Sequence, residues 1–376
     1  MFGPTIFGER GVAWPQMGGL VGKRENADLA KVTATTNVCF FGIYNYLRDK
    51  AIYDKNVKIT SPLVGDLAGN IYFTYRVYGD TPIHLRSGIV RIKPDGTSVY
   101  KYADKAVGDL DFTNPKLNSA PAISGDNLYV PIRRSNGSDG YLVCLDAKTL
   151  VPKSKVYLLD PKSGNPAHVD EDGTACPVVA PNGDVYFGVL GNPDPNHYRG
   201  WLLHFSPNLS ETKTPGAFGW DDTPSIVPSA LVPSYQGTST YLLLCKYNNY
   251  VQGGGDGVNR IAILDPNGSE VEVISGIATM PPVMSIAGPT PDTEYLDNHP
   301  NAVREWCVNT AAIDTIGGYA ILNCEDGFVY RWQFSTGLLS GKRLTDGIGE
   351  AYTSTIIGAH GQVIAMNNAR IYALGK

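Results

Sequence analysis

Ala120-Pro121-Ala122-Ile123, Asp126-Asn127-Leu128-Tyr129-Val130 and Gly140-Tyr141-Leu142-Val143-Cys144-Leu145-Asp146 make one unit of three short strands. The first strand opens at a small residue and Pro. A turn of Gly, Asp and Asn leads into a strand of β-branched and aromatic residues, and the third strand runs out in an Asp. The unit recurs on both sides. Upstream stand Ser61-Pro62-Leu63-Val64, Gly69-Asn70-Ile71-Tyr72-Phe73 and Gly88-Ile89-Val90-Arg91-Ile92. Downstream stand Cys176-Pro177-Val178-Val179, Gly183-Asp184-Val185-Tyr186-Phe187 and Gly200-Trp201-Leu202-Leu203-His204-Phe205. Further copies begin at Thr223-Pro224, Asn309-Thr310 and Thr353-Ser354.

Taking Pro62, Pro121, Pro177, Pro224, Thr310 and Ser354 as anchors, the spacings are 59, 56, 47, 86 and 44 residues. Their mean, about 58, suits a four-stranded blade with generous loops. The long step carries an insertion over residues 270–307 that has no second strand pair and is not counted as a blade. Repeats that bury each sheet face against a neighbour must stack openly or close into a ring, and closure protects the sheet edges. The expectation is therefore an all-β chain, residues 1–376 forming one closed β-propeller domain. Seven blades are favoured, with six as the alternative. Residues 1–60 read as a degenerate first blade, with a strand near residues 1–7 completing the last one.

The unit of small-Pro strand, Gly-Asp-x-Tyr strand and Gly-x-Leu-x-x-Leu-Asp strand resembles the repeat of quinoprotein-type (PQQ-like) β-propellers over roughly residues 60–376. That superfamily includes dehydrogenases and non-catalytic scaffolds, so the resemblance implies a fold and leaves the activity open. It also implies an exported protein, periplasmic or secreted, with Met1-Phe2-Gly3 read as a truncated or mature start. The chain has no adjacent Cys-Cys pair, a departure from the quinone-dependent alcohol dehydrogenases, and no Cys-x-x-Cys-His. Neither PQQ nor covalent c-type haem is expected. The six cysteines lie mostly inside strands of different blades, where reduced buried thiols are expected over disulfides.

Composition sets the bounds. Hydrophobic residues make up 43% and charged residues 18%, which excludes a disordered chain. The 31 basic and 36 acidic side chains are not clustered by sign, which argues against nucleic acid as the partner. No apolar run reaches the ~18 residues of a membrane helix. Gly253-Gly254-Gly255-Asp256-Gly257 lacks the Lys-Ser/Thr of a phosphate loop, and no Gly-x-Ser-x-Gly elbow occurs.

In a propeller, the loop entering each first strand and the loop joining the second strand to the third share one face. On that face the sequence places His168, Asp170, Asp172, Trp220, Asp221, Asp222, Arg304, Glu305, Trp306, Glu350 and Tyr352 from the first loop set. The second set adds His197, Arg199, Lys246, Tyr247, Asn248 and Asn249. The opposite face carries ordinary turn residues. Crowded carboxylates repel, so such a mouth calls for a cation or shared protons. Asp170, Asp172 and Asp222 are the expected ligands of a divalent ion, Ca²⁺ or Mn²⁺. His168, Asp221, Glu305 and Tyr352 are the expected acid/base groups, and Arg304 a clamp on a substrate carboxylate. The remaining residues would hold the substrate, with aromatic faces against a sugar ring.

The reading that follows is a small-molecule or oligosaccharide site, with metal-assisted or acid/base cleavage by a lyase or hydrolase. From another class comes a non-catalytic scaffold that binds a protein, with Met280-Pro281-Pro282-Val283-Met284 as its surface. Redox catalysis ranks third, having no complete ligand motif.

Overall fold

The computed structural model describes residues 3–31, 33–169, 175–308, 310–349 and 354–375. The chain divides into two compact units. One comprises Met1–Leu158, Val169–Glu171 and Pro207–Ser210, the other Leu159–His168, Asp172–Ser206 and Glu211–Lys376.

The first unit holds three antiparallel sheets whose strands follow chain order. They are Thr5–Phe7, Gly11–Pro15, Leu20–Arg24 and Thr36–Cys39; then Val57–Ile59, Ile71–Val77, Gly88–Ile92 and Ser98–Tyr102, with Val64–Gly65 also on Ile71–Val77; then Ala122–Ser124, Asn127–Arg133, Gly140–Asp146 and Pro152–Tyr157. Two short helices, Ile43–Arg48 and Lys50–Asn56, separate the first sheet from the second.

The second unit repeats the plan. Its sheets are Val178–Val179, Val185–Val189 and Trp201–Phe205; Ser225–Pro228, Tyr241–Lys246, Arg260–Leu264 and Pro282–Ala287; Ala312–Asp314, Tyr319–Asn323, Phe328–Gln333 and Leu339–Arg343; and Ile356–Ile357, Val363–Asn367 and Arg370–Leu374. Single bridges from Thr212 to Phe205 and from Gly216 to Leu202 take the place of a fourth strand in the first of these.

Burial explains the strand sequences. Middle strands are covered on both faces, so they read as nearly continuous apolar runs: Val185–Val189 and Tyr241–Lys246 are buried throughout. Outer strands such as Pro152–Tyr157 and Leu339–Arg343 are largely exposed and carry lysines, which discourage pairing with other chains.

Two expectations are corrected. Thr5–Phe7 pairs with Gly11–Pro15, Ile6 lying opposite Val12, and so does not complete the last sheet. A tight turn with Gly8 at φ 58° folds it straight back, and so short a loop closes at little entropic cost. Residues 270–307 are not one insertion either. Glu270–Val271 and Ala278–Thr279 form a hairpin, after which Pro282–Ala287 becomes the outer strand beside Arg260–Leu264. Of the apolar stretch expected as a surface for a protein partner, Met280 is buried, while Pro282 is exposed and Val283–Met284 are half-buried on that outer strand. Among the described residues, no helix is long and apolar enough to cross a membrane.

First strands of neighbouring sheets are held together by side-chain hydroxyls. Ser225 Oγ donates to the Ala311 carbonyl at 2.8 Å. Thr355 Oγ1 accepts from the Ala312 N–H and donates to the Ile321 carbonyl, both at 2.9 Å. In the first unit a middle-strand hydroxyl plays a similar part, Thr74 Oγ1 donating to the Leu117 carbonyl at 3.1 Å. The first strands Ser225–Pro228, Ala312–Asp314 and Ile356–Ile357 are only two to four residues long, so few backbone bonds secure them and each added one counts. Thr355→Val keeps the shape but strands a buried N–H and a carbonyl. It should cost about 1–3 kcal/mol, read as a lower urea midpoint at unchanged m-value; an unshifted midpoint would remove the staple's assigned role.

Candidate functional site

Tyr198, Trp220, Asp221 and Lys246 line a cavity of about 320 Å³ together with Tyr250, Gln252 and Glu305. The last three also line a second cavity of about 230 Å³, whose other walls include Asp292, Glu294, Arg304 and Glu325. The two spaces thus share a wall, and all of these residues belong to the second unit.

Local structure sets each side chain. The N–H groups of Gly219 and Trp220 both donate to the Arg199 carbonyl, at 2.8 and 2.9 Å, which lays the Trp220 loop on the turn that precedes the strand Trp201–Phe205. A Cβ on Gly188 would stand 1.9 Å from the Gly219 carbonyl oxygen, so only glycine permits that approach. Asp221 then lies in the left-handed region at φ 54°. So do Asn196, His197 and Tyr198 in succession, at 54°, 56° and 59°. Each such residue costs of order 1–3 kcal/mol, and strain of this kind gathers at functional sites. It is held by the Arg199 N–H on the Asn196 carbonyl at 3.0 Å and by His197 Nδ1 on Asn249 Oδ1 at 3.0 Å. Glu305 is fixed through its backbone, its N–H donating to Glu325 Oε1 and its carbonyl accepting from the Glu325 N–H, both at 3.2 Å.

Four of the expected site residues thus meet in the larger cavity: Trp220, Asp221, Lys246 and Glu305. Others are placed differently, each for a physical reason. Trp306 is fully buried, edge-on to Tyr330, and has no ring face to offer a ligand. Asn248, also fully buried, clamps the Trp306 backbone, accepting its N–H at 3.3 Å and donating to its carbonyl at 3.2 Å. Arg199 is 1% exposed, pairs with Glu272 at 3.2 Å and lies over the Tyr247 ring at 4.8 Å, so both residues serve packing. Arg304 meets Asp292 at 3.1 Å and Glu294 and Glu325 at 3.5 Å, which engages its charge inside the protein and leaves no clamp for a substrate carboxylate. His168 bridges Leu190 through its backbone, and His168, His197 and Asn249 line neither cavity. Asp170, Asp172, Glu350 and Tyr352 lie outside the described residues.

Sequence reasoning passed over Gln252, Asp292, Glu294 and Tyr295, whereas Glu325 falls in the loop joining the second strand to the third, on the expected face. The signal for the missed residues was weak: acids flanking Thr293 in a long loop ahead of a lone Arg.

Among the described residues, one grouping could hold a metal ion. Glu305, Cys307 and Glu325 bring one carboxylate oxygen each and a sulfur within 4.8 Å of one another. A thiolate among the donors favours a softer ion such as Zn²⁺ over Ca²⁺ or Mn²⁺.

Asp222 is 1% exposed and lines neither cavity. Burial pushes its carboxyl up to about 8; the Lys246 charge and N–H oppose this, while Asp221 adds to it. The folded protein therefore holds a proton there that the unfolded chain releases near 3.8. Between those values the native state binds the extra proton, so stability falls as pH rises through the window. Asp222→Asn, neutral at every pH, should flatten this decline and be the more stable form at pH 8. Urea midpoints of both proteins at pH 5 and pH 8 test it, and parallel slopes would contradict the assignment.

The fold is a β-propeller. No protein-family model matches the chain, and no curated protein does. Solved structures do match in fold. The quinohemoprotein alcohol dehydrogenase from Comamonas testosteroni aligns over 98% of this chain and 66% of its own, with a TM-score of 0.52 and 9% identity. The Cps50 (Swd1) β-propeller domain of Myceliophteria thermophila aligns over 99% of this chain and 96% of its own, with a TM-score of 0.50 and 13% identity. BamB from Moraxella catarrhalis aligns over 98% and 95%, with a TM-score of 0.46 and 13% identity. The resemblance to quinoprotein-type propellers seen in the repeats thus holds at the level of fold.

Proposed function

We propose that this propeller binds a small polar organic molecule in the paired cavities of its second unit. One observation carries the reading: loops from three successive sheets, far apart in sequence, bring three aromatic residues and two carboxylates to one 320 Å³ space. Such a volume suits a monosaccharide-sized ligand, with aromatic faces for its apolar side and carboxylates for its polar groups. The backbone strain at Tyr198 and Asp221 supports it.

Cleavage of the bound molecule is a second reading, favoured by Asp221 and Glu305 lining the same cavity, where one could act as acid and the other as base. A divalent ion, on this proposal, is held by Glu305, Cys307 and Glu325. Metal analysis of the purified protein tests that part, with a stoichiometric ion lost in Cys307→Ala as the expected result. Export remains part of the proposal on the repeat resemblance alone.

Binding is tested by ligand-induced shifts in melting temperature across a panel of monosaccharides, amino sugars and small amines. Trp220→Ala should weaken the response at least ~10-fold in apparent affinity, about 1.4 kcal/mol, while Lys342→Ala on an outer strand leaves it unchanged. Equal responses in wild type and Trp220→Ala would move the site elsewhere.

A further inference from the structure

We infer that this chain pairs with a second copy of itself through the strand Arg370–Leu374, the two last sheets joining edge to edge about a twofold axis. Each of the other repeated sheets among the described residues has a fourth strand, or single bridges in its place. The last sheet stops at Ile356–Ile357, Val363–Asn367 and Arg370–Leu374. Among the described residues, nothing pairs with the outer side of Arg370–Leu374. The two-residue turn Asn368-Ala369, with φ 47° and 57°, makes Asn367 and Arg370 a hydrogen-bonded pair. Alternation along the ladder then aims the N–H and carbonyl groups of Ile371 and Ala373 outward.

A bare edge of this kind is a template for another strand. Other outer strands guard against it with lysines: Lys153 and Lys155 on Pro152–Tyr157, and Lys342 on Leu339–Arg343. Arg370–Leu374 has no lysine, and it holds Ile371 71% exposed. Leu374 and Val363 line a cavity of about 180 Å³ with Ser340 and Lys342 of the preceding sheet's outer strand. A strand added beyond Arg370–Leu374 would border this space.

The sequence of the strand selects a second copy as the occupant. Antiparallel pairing centred on Tyr372 sets Ile371 of each copy against Ala373 of the other, so every outward backbone group of those two residues is used. Arg370, the one charge in the strand, then stands opposite Leu374, and no like charges oppose each other. Strands of 5 residues make a small interface, so the dimer is of the transient kind and its population follows concentration.

Sedimentation velocity of the full chain over a wide range of concentration tests the inference. Monomer should give way to dimer as concentration rises. Ile371→Lys places a charge on the seam, and Ala373→Pro removes an outward N–H that the chain's own sheet does not use. Each should raise the dissociation constant at least ~10-fold. Ile316→Lys, at a fully exposed apolar residue in a turn of the preceding sheet, should leave it unchanged. A dimer that either edge variant leaves intact overturns the inference, as does growth past the dimer into larger assemblies. A monomer at every concentration overturns it too, and hydrogen exchange at the Ile371 and Ala373 amides then says what takes the edge. Slow exchange there means that the chain covers its own edge, and fast exchange leaves the edge to a strand of a different protein.

Discussion

Side-chain hydroxyls that bridge the first strands of adjacent sheets are the interaction on which the rest depends. Those strands have two to four residues, and two of them, Ser225–Pro228 and Ala312–Asp314, follow the loops that carry Asp221 and Glu305. Ser225 and Thr355 supply what short strands lack, by bonding backbone groups across the gap between one sheet and the next. The sheets can then vary greatly in loop length while their inner rims keep register. The repeat tolerates spacings of 44 to 86 residues for this reason.

The site built on that rim separates two kinds of polar group. One kind is consumed in holding the loops: Asn248 clamps the Trp306 backbone, Arg199 joins Glu272 and Tyr247, and Arg304 gathers Asp292, Glu294 and Glu325. The other kind lines the larger cavity with aromatic rings. Buried ion pairs are costly to form and more costly to break, so the first group fixes geometry and gives the second a constant environment. Asp222 stands apart, a carboxyl kept neutral by burial next to the loop that presents Asp221.

Much of the fold was legible because its signal is local. The anchor Pro177 does precede the strand Val178–Val179, and the Asp184-Val185-Tyr186 run does become a buried middle strand. The N-terminal strand was misplaced because ring closure is a global argument, whereas the turn after Phe7 is a local one and prevailed. Loop position alone assigns Trp220, Asp221, Lys246 and Glu305 to one face, and they do line one cavity. Trp306 and Arg304 were misread because position says nothing of which way a side chain turns. One residue after Glu305 the chain has already entered the core, and Trp306 points inward with it. Asp292 and Glu294 were missed since their partner, Arg304, is recognisable only once the long loop has folded back.

Gly188 has a consequence beyond its own strand. Its missing side chain lets the Gly219 carbonyl settle against the sheet, and with it the segment that carries Trp220. The width of the larger cavity is therefore governed partly by a residue that is not among those lining it. Lineages adapting such a scaffold to bulkier or slimmer molecules would have a route that leaves every contacting residue in place: altering the spacer beneath the wall.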